Sequence, residues 1–197
     1  MTVRRLHRAI GIAMLLPLVG WALTGFVFFI KPGYGGAYES LAVKTYPLDE
    51  PMNIPPHPEW REVRLLKTIV GTHLLVRSDA GWSHLDARTL QPTAPPAEAT
   101  IRALVADAIA SRTERYGRVA RITGNAVETD TGARITLDWT RLSLMQRGRD
   151  TDRIDALYRV HYLQWTGSAA IDKVLGFLGL TMVIALSLVG ARLAIRR

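Results

Sequence analysis

Five histidines and no cysteine set the limits of the side-chain chemistry this chain can offer. Imidazole carries a proton near neutral pH or ligates a metal. Without a thiolate there is neither a cysteine nucleophile nor a sulfur metal site, and no disulfide braces the fold. His57, His73 and His84 fall in the polar middle of the chain, whereas His7 and His161 stand beside its apolar ends. His73 and His84 flank Ser78-Asp79-Ala80-Gly81, so a hairpin through that turn could bring them together. No carboxylate or cysteine lies beside them at metal-ligand spacing, and no metal site is assigned there. Asp79 and Asp86 read as turn residues. Asp150 and Asp152 sit in a mixed-charge run from Arg147 to Arg159, where a solvated face leading into a helix is expected. The sequence holds no Gly-x-Ser-x-Gly elbow, no His-Glu-x-x-His helix and no Gly-Lys-Ser/Thr phosphate loop. An enzyme acting alone therefore has no support.

Positioning these residues falls first to two charge-free apolar runs, residues 9–30 and 174–191. The first is long enough to reach about 33 Å as a helix, matching a hydrocarbon core of about 30 Å, and the second is shorter but sufficient. Arg4, Arg5 and Arg8 precede the first run, while Arg192, Arg196 and Arg197 close the second. These six account for most of the formal net charge of +8. The basic balance is thus an orientation signal that places both termini in the cytoplasm, and a nucleic-acid partner is not expected. Residues 1–8 and 192–197 become cytoplasmic flanks. The N-terminal run is too long for a signal-peptide core, and bulky residues from Phe26 to Pro32 stand where a cleavage site would lie, so it reads as an uncleaved anchor.

Between the spans, residues 31–160 are expected to form a small α+β domain outside the cytoplasmic membrane, followed by an interfacial segment over residues 161–173. Lys31-Pro32-Gly33 ends the first helix, and Pro47 to Pro58 reads as an extended linker or a strap over the domain. The stretch from Glu62 to Val70 is read as strand, although its apolar spacing also fits a helix. Leu74–Val76 and Trp82–Leu85 form a hairpin. Apolar residues at 101, 104, 105, 108 and 109 mark one face of an amphipathic helix. Val119–Thr123 and Ala133–Trp139 read as strands joined through Asp130-Thr131-Gly132, with Ile135, Leu137 and Trp139 on one face. The expected architecture is two transmembrane helices flanking a helix packed on an antiparallel sheet. Trp60 and Trp82 read equally as surface anchors or as core.

Leu6-His7-Arg8-x-x-Gly11 opens the first run, and Tyr158-Arg159-Val160-His161-Tyr162 with Gly167 precedes the second. With the helix-strand-strand pattern from Glu98 to Trp139, these motifs resemble the PepSY-associated transmembrane family of bacterial inner-membrane proteins, of which this would be a short two-span member. The resemblance implies a PepSY-like periplasmic domain and a non-catalytic accessory or regulatory role in iron or siderophore uptake. It also implies membrane lipid and a protein partner in the inner membrane or envelope, with no cofactor. Larger members, with four or more spans, include haem-bearing reductases. An alternative is therefore a transmembrane electron-transfer subunit binding haem b through His7 and His161, although two spans depart from that pattern. Soluble PepSY modules regulate proteases, which makes inhibition of an envelope protease a further alternative. His7 stands near the cytoplasmic surface while His161 lies about 46 Å before Arg192 along a continuous helix, so one haem cannot join them within a chain. A parallel homodimer would set His7 against His7 and His161 against His161. The simpler reading gives His7 to the headgroup region and His161-Tyr162-x-x-Trp165 to the interfacial belt.

Overall fold

A computed structural model describes residues 2–195, so Met1, together with Arg196 and Arg197 of the charge pattern, lies outside the described residues. The element order is α1 (Val3–Ile30), α2 (Tyr34–Ala37), β1 (Glu62–Thr68), β2 (Gly71–Ser78), β3 (Gly81–Leu85), α3 (Glu98–Ile109), α4 (Thr113–Tyr116), β4 (Val119–Thr123), β5 (Ala126–Thr129), β6 (Arg134–Asp138), β7 (Ser143–Arg147), α5 (Arg149–His161) and α6 (Ala169–Ile195). The chain divides into two compact units, Met1–Tyr34 with Thr151–Arg197, and Gly35–Asp150.

In the helical unit, α1 and α6 are each long and apolar enough to cross a membrane. Both outrun the apolar stretches that announce them, because arginine and histidine at their ends propagate a helix without difficulty. Pro17 sits inside α1, where it removes the bond to the carbonyl of Ala13, and the helix continues through it. Lys31, in the left-handed region at φ 52°, ends α1 with its N–H on the Val27 carbonyl, and Pro32 forbids another turn. The two helices run antiparallel, since Gly11 faces Leu186 while Gly190, further along α6, faces His7. Small residues permit that approach. The path from His161 to Arg192 is not one continuous helix, as its expected length of about 46 Å assumed. It breaks after His161, where Leu163 and Gly167 adopt positive φ. Asp172 then anchors the start of α6 by accepting the Thr166 N–H and hydroxyl at 3.1 and 2.8 Å. Its carboxylate also suits the positive end of the helix dipole.

The second unit contains two antiparallel sheets, β1-β2-β3 and β4-β5-β6-β7, rather than the single sheet expected. The extra strands are β5 and β7. The Asp130-Thr131-Gly132 turn joins β5 to β6, and a separate turn at Gly124-Asn125 joins β4 to β5. Helix α3 buries Ile101, Leu104, Val105 and Ile109 in one core with Val127, Ile135, Leu137, Leu144 and Tyr116. β2 is buried on both faces, Leu75 in that core and Leu74 and Val76 in a second, smaller cluster. Met52, Ile54 and Trp60 cover the smaller cluster, so the proline-rich stretch is a strap with Trp60 as part of its apolar underside. Trp82 packs at the edge of the main core, with the Arg64 guanidinium 4.6 Å above its ring.

Candidate functional site

His161 and His7 occupy opposite ends of the helical unit. At the end of α5, the His161 ring stacks on Trp21 at 5.6 Å and meets Phe28 edge-on at 5.0 Å. Phe28 also stacks on Tyr158, one helical turn earlier in α5. Gly25 has no side chain to obstruct the imidazole, whose Cε1 lies 3.8 Å from where a Cβ would stand. His161 Nδ1 lies 2.8 Å from Thr24 Oγ1, and Thr24 is one of two buried residues in α1. The Thr24 hydroxyl has its own backbone acceptors, the Gly20 and Trp21 carbonyls at 2.8 and 3.0 Å. When its single proton goes to either carbonyl, Thr24 accepts from His161 Nδ1–H, and Nε2 of the ring then keeps its lone pair. The ring borders a cavity of about 270 Å³ whose other walls include Met14, Pro17 and Leu18 of α1 and Gly176, Gly179 and Val183 of α6.

At the other end, the His7 Cε1 lies 3.3 Å from the position a Cβ would take at Gly190. His7 Nδ1 is buried without a hydrogen-bond partner among the described residues. His7 and Gly25 stand about 27 Å apart along α1, so a single haem cannot bridge the two histidines of one chain. Each offers at most one axial nitrogen.

The remaining histidines lie in the α+β unit. His57 stacks on Trp60 at 4.8 Å on the surface. The β2–β3 register pairs Leu75 with His84 and leaves His73 diagonally adjacent on the same face. Both rings are buried, and His73 Nδ1 lies 3.0 Å from His84 Nε2. His73 Nε2 reaches Thr68 Oγ1 at 2.8 Å, and His84 Nδ1 reaches the Trp139 carbonyl at 2.9 Å. Burial, together with the neighbouring His84, lowers the His73 pKa to about 4. Burial also lowers the His84 pKa, opposed in part by the Trp139 carbonyl. Both rings are neutral at pH 7. Among the described residues no group of three or more His, Asp or Glu is arranged to hold a metal ion.

The hairpin made the meeting of His73 and His84 foreseeable. Thr24 gave no such signal, since a threonine in an apolar run is unremarkable until a histidine from elsewhere reaches it. No family model matches this chain, and no curated protein or solved structure matches it.

Proposed function

We propose that this chain is a two-span inner-membrane protein of the PepSY-associated transmembrane type. In this reading both termini are cytoplasmic, the α+β unit stands in the periplasm, and the protein serves as a non-catalytic accessory or regulatory subunit of a larger membrane or envelope assembly. Iron or siderophore uptake is the setting its motifs suggest. The observation that carries the reading is the antiparallel pairing of α1 with α6, Gly11 on Leu186 and Gly190 beside His7. That pairing brings the α1 end carrying Arg4, Arg5 and Arg8 together with the α6 end carrying Arg192, as the positive-inside rule asks of a two-span protein. Because the chain has no cysteine, single cysteines report topology cleanly. Met145→Cys, at an exposed position, should react in intact cells with a membrane-impermeant maleimide once the outer membrane is opened, and Thr2→Cys should react only after lysis. Labelling of both positions from the same side would overturn the topology. A stoichiometric protein partner should copurify from native membranes, and its absence under mild detergent would overturn the accessory role.

The Thr24–His161 bond favours a second reading, haem b held between two copies. A histidine that donates through Nδ1 to a fixed oxygen has its ring held and presents Nε2 as a metal ligand. His161 of each copy would hold the haem, and the haem would supply one-electron transfer. A Soret band in protein expressed with ample haem, lost on His161→Ala, supports this reading, and a colourless preparation overturns it.

A further inference from the structure

The buried histidine pair is a directional chain rather than a passive piece of core. The Trp139 carbonyl can only accept, so His84 Nδ1 must carry a proton. In the neutral ring His84 Nε2 then accepts from His73 Nδ1–H, which leaves His73 Nε2 to accept from the Thr68 hydroxyl. Thr68 Oγ1 in turn accepts the Val70 N–H at 3.2 Å. Every nitrogen is satisfied, and the order of donors is fixed from one end to the other.

The far end of the chain joins the two sheets. β3 belongs to the three-stranded sheet, and Trp139 follows β6 of the four-stranded sheet. The Trp139 ring packs against His84 at 4.1 Å and against His73 at 5.7 Å. Its indole N–H donates to Thr93 Oγ1 at 3.2 Å, and that hydroxyl donates to the His84 carbonyl at 3.0 Å. Trp139 is therefore fastened to β3 from two sides, with the imidazole chain as one of the fasteners.

Adding protons has two distinct consequences. A first proton on His84 Nε2 can be accommodated by reversal. His84 Nε2–H donates to His73 Nδ1, the proton formerly there passes to His73 Nε2, and His73 Nε2–H donates to Thr68. The Thr68 hydroxyl then turns to the Gly71 carbonyl, 3.4 Å away. All contacts survive, but a charge now sits in the apolar seam. A second proton gives both facing nitrogens an N–H at a separation of 3.0 Å, and no arrangement of that pair remains attractive.

The polar groups around the rings offer no compensation. Among the described residues the side-chain and backbone hydrogen-bond partners of the two imidazoles are Thr68 of β1, the Trp139 carbonyl and each other. Nearby charges are engaged elsewhere. Lys67 pairs with Asp49, Asp86 caps the Arg88–Thr89 turn, and Asp138 caps Thr140 and Arg141.

We propose that the Thr68–His73–His84–Trp139 chain is an acid-released latch, in which one proton is absorbed by reversing the chain and a second frees Trp139 from β3. A surface closed at neutral pH thereby opens between the two sheets. The latch works on either side of a membrane and does not depend on what the helical unit binds.

The sign follows from the buried rings. The opened form binds protons at the ordinary histidine value near 6.5, whereas the closed form resists them until His73 titrates near 4. Closure is thus complete above about pH 6.5 and is lost as pH falls towards 4. Hydrogen exchange of the full-length protein in detergent, corrected for the intrinsic pH dependence of exchange, tests this directly. Amides of β3 and of residues 137–141 should lose protection by about tenfold or more between pH 7 and pH 4.5. The His73→Gln, His84→Gln double variant, whose amides can span the same contacts without titrating, should show no such loss. A flat wild-type profile, or an equal loss in the double variant, would overturn the latch. Imidazole nitrogen NMR of the wild type decides the matter if the variant does not fold. Both rings should be the Nδ1–H tautomer at pH 7, and an Nε2–H ring at either position refutes the chain.

Discussion

Thr24 and His161 should contribute unequally to the bond they share, and the inequality follows from which of them has an alternative partner. Replacing Thr24 by valine keeps the β-branched shape but strands His161 Nδ1 against apolar neighbours. A buried polar group left unpaired costs about 1–3 kcal/mol. Interhelical hydrogen bonds in membrane proteins average nearer 0.6 kcal/mol, with about 1.7 kcal/mol as an upper value, because the unfolded helices also find partners. About 1 to 1.5 kcal/mol is therefore expected for Thr24→Val. The converse change, His161→Phe, keeps a flat ring for Trp21 and Phe28 and leaves the Thr24 hydroxyl on the Gly20 carbonyl at 2.8 Å. No polar atom is stranded, and about 0.5 kcal/mol is expected. Once His161→Phe is in place, Thr24→Val should cost within about 0.3 kcal/mol of nothing, giving a coupling energy near 1 kcal/mol. Reversible unfolding of the four proteins in mixed micelles of increasing SDS fraction, followed by tryptophan fluorescence, completes the cycle. An equal cost for Thr24→Val with and without His161, or a larger cost for His161→Phe than for Thr24→Val, would refute the assignment of Thr24 as acceptor.

Three further outcomes follow from the α+β unit. Gly117 sits at φ 61°, and a Cβ there would run into Asp130 Oδ1, the atom that accepts the Arg118 N–H at 2.9 Å. Gly117→Ala should cost about 2–3 kcal/mol, partly recovered by adding Asp130→Ala, as read from hydrogen exchange in β4 and β5. In thermal melts, Leu104→Ala empties a site that is 1% exposed and should cost about 3 kcal/mol, whereas Ile69→Ala, 56% exposed, should stay within about 0.5 kcal/mol. Gln146→Leu should destabilise by about 2 kcal/mol despite burying more apolar surface, because the Ala37 and Glu39 carbonyls lose the amide that reaches them at 3.1 and 3.0 Å. An unchanged melting temperature for Gln146→Leu would show that water replaces the amide.

Gln146 also explains what the sequence concealed. The stretch Ser143-Leu144-Met145-Gln146-Arg147 does not alternate apolar with polar, because Gln146 faces inward with Leu144 while Met145 points out at 69% exposed. A buried amide satisfied by backbone carbonyls over a hundred residues away leaves no local signature, so β7 escaped a reading based on periodicity. β5 escaped for a similar reason. Its inward positions are Val127 and Thr129, and the Thr129 hydroxyl spends itself on Ala133 within the turn. By contrast α3 was legible from its spacing alone, as were the β2–β3 hairpin and the two long apolar helices. In those elements the burial pattern is carried by aliphatic side chains. Where a buried polar side chain bonds a remote partner, as Gln146 does, the pattern that would reveal it lies in the fold rather than in the neighbouring letters.

The same distribution of polar contacts bears on what the helical unit needs from its surroundings. Lipid solvates leucine as well as another helix does, so apolar contact alone does not drive two helices together in a membrane. In α1 only Met14 and Thr24 are buried, and in α6 only Asp172, while Leu16, Phe29 and Phe177 are among the most exposed large side chains of the described residues. What holds α1 in register is therefore close approach at Gly11 and Gly190, the ring contacts of Trp21 and Phe28 with His161 and Tyr158, and the Thr24–His161 bond, a small set of interactions worth a few kcal/mol. A unit held so lightly has most of its apolar surface still to be covered. In the accessory reading, helices of a partner take that surface and add packing that this chain does not supply for itself; in the haem reading, a second copy does. Either way, weakening the Thr24–His161 bond should loosen association with the partner as well as the pairing of α1 with the rest of its own unit, because the surface a partner meets is one that this single hydrogen bond helps to define.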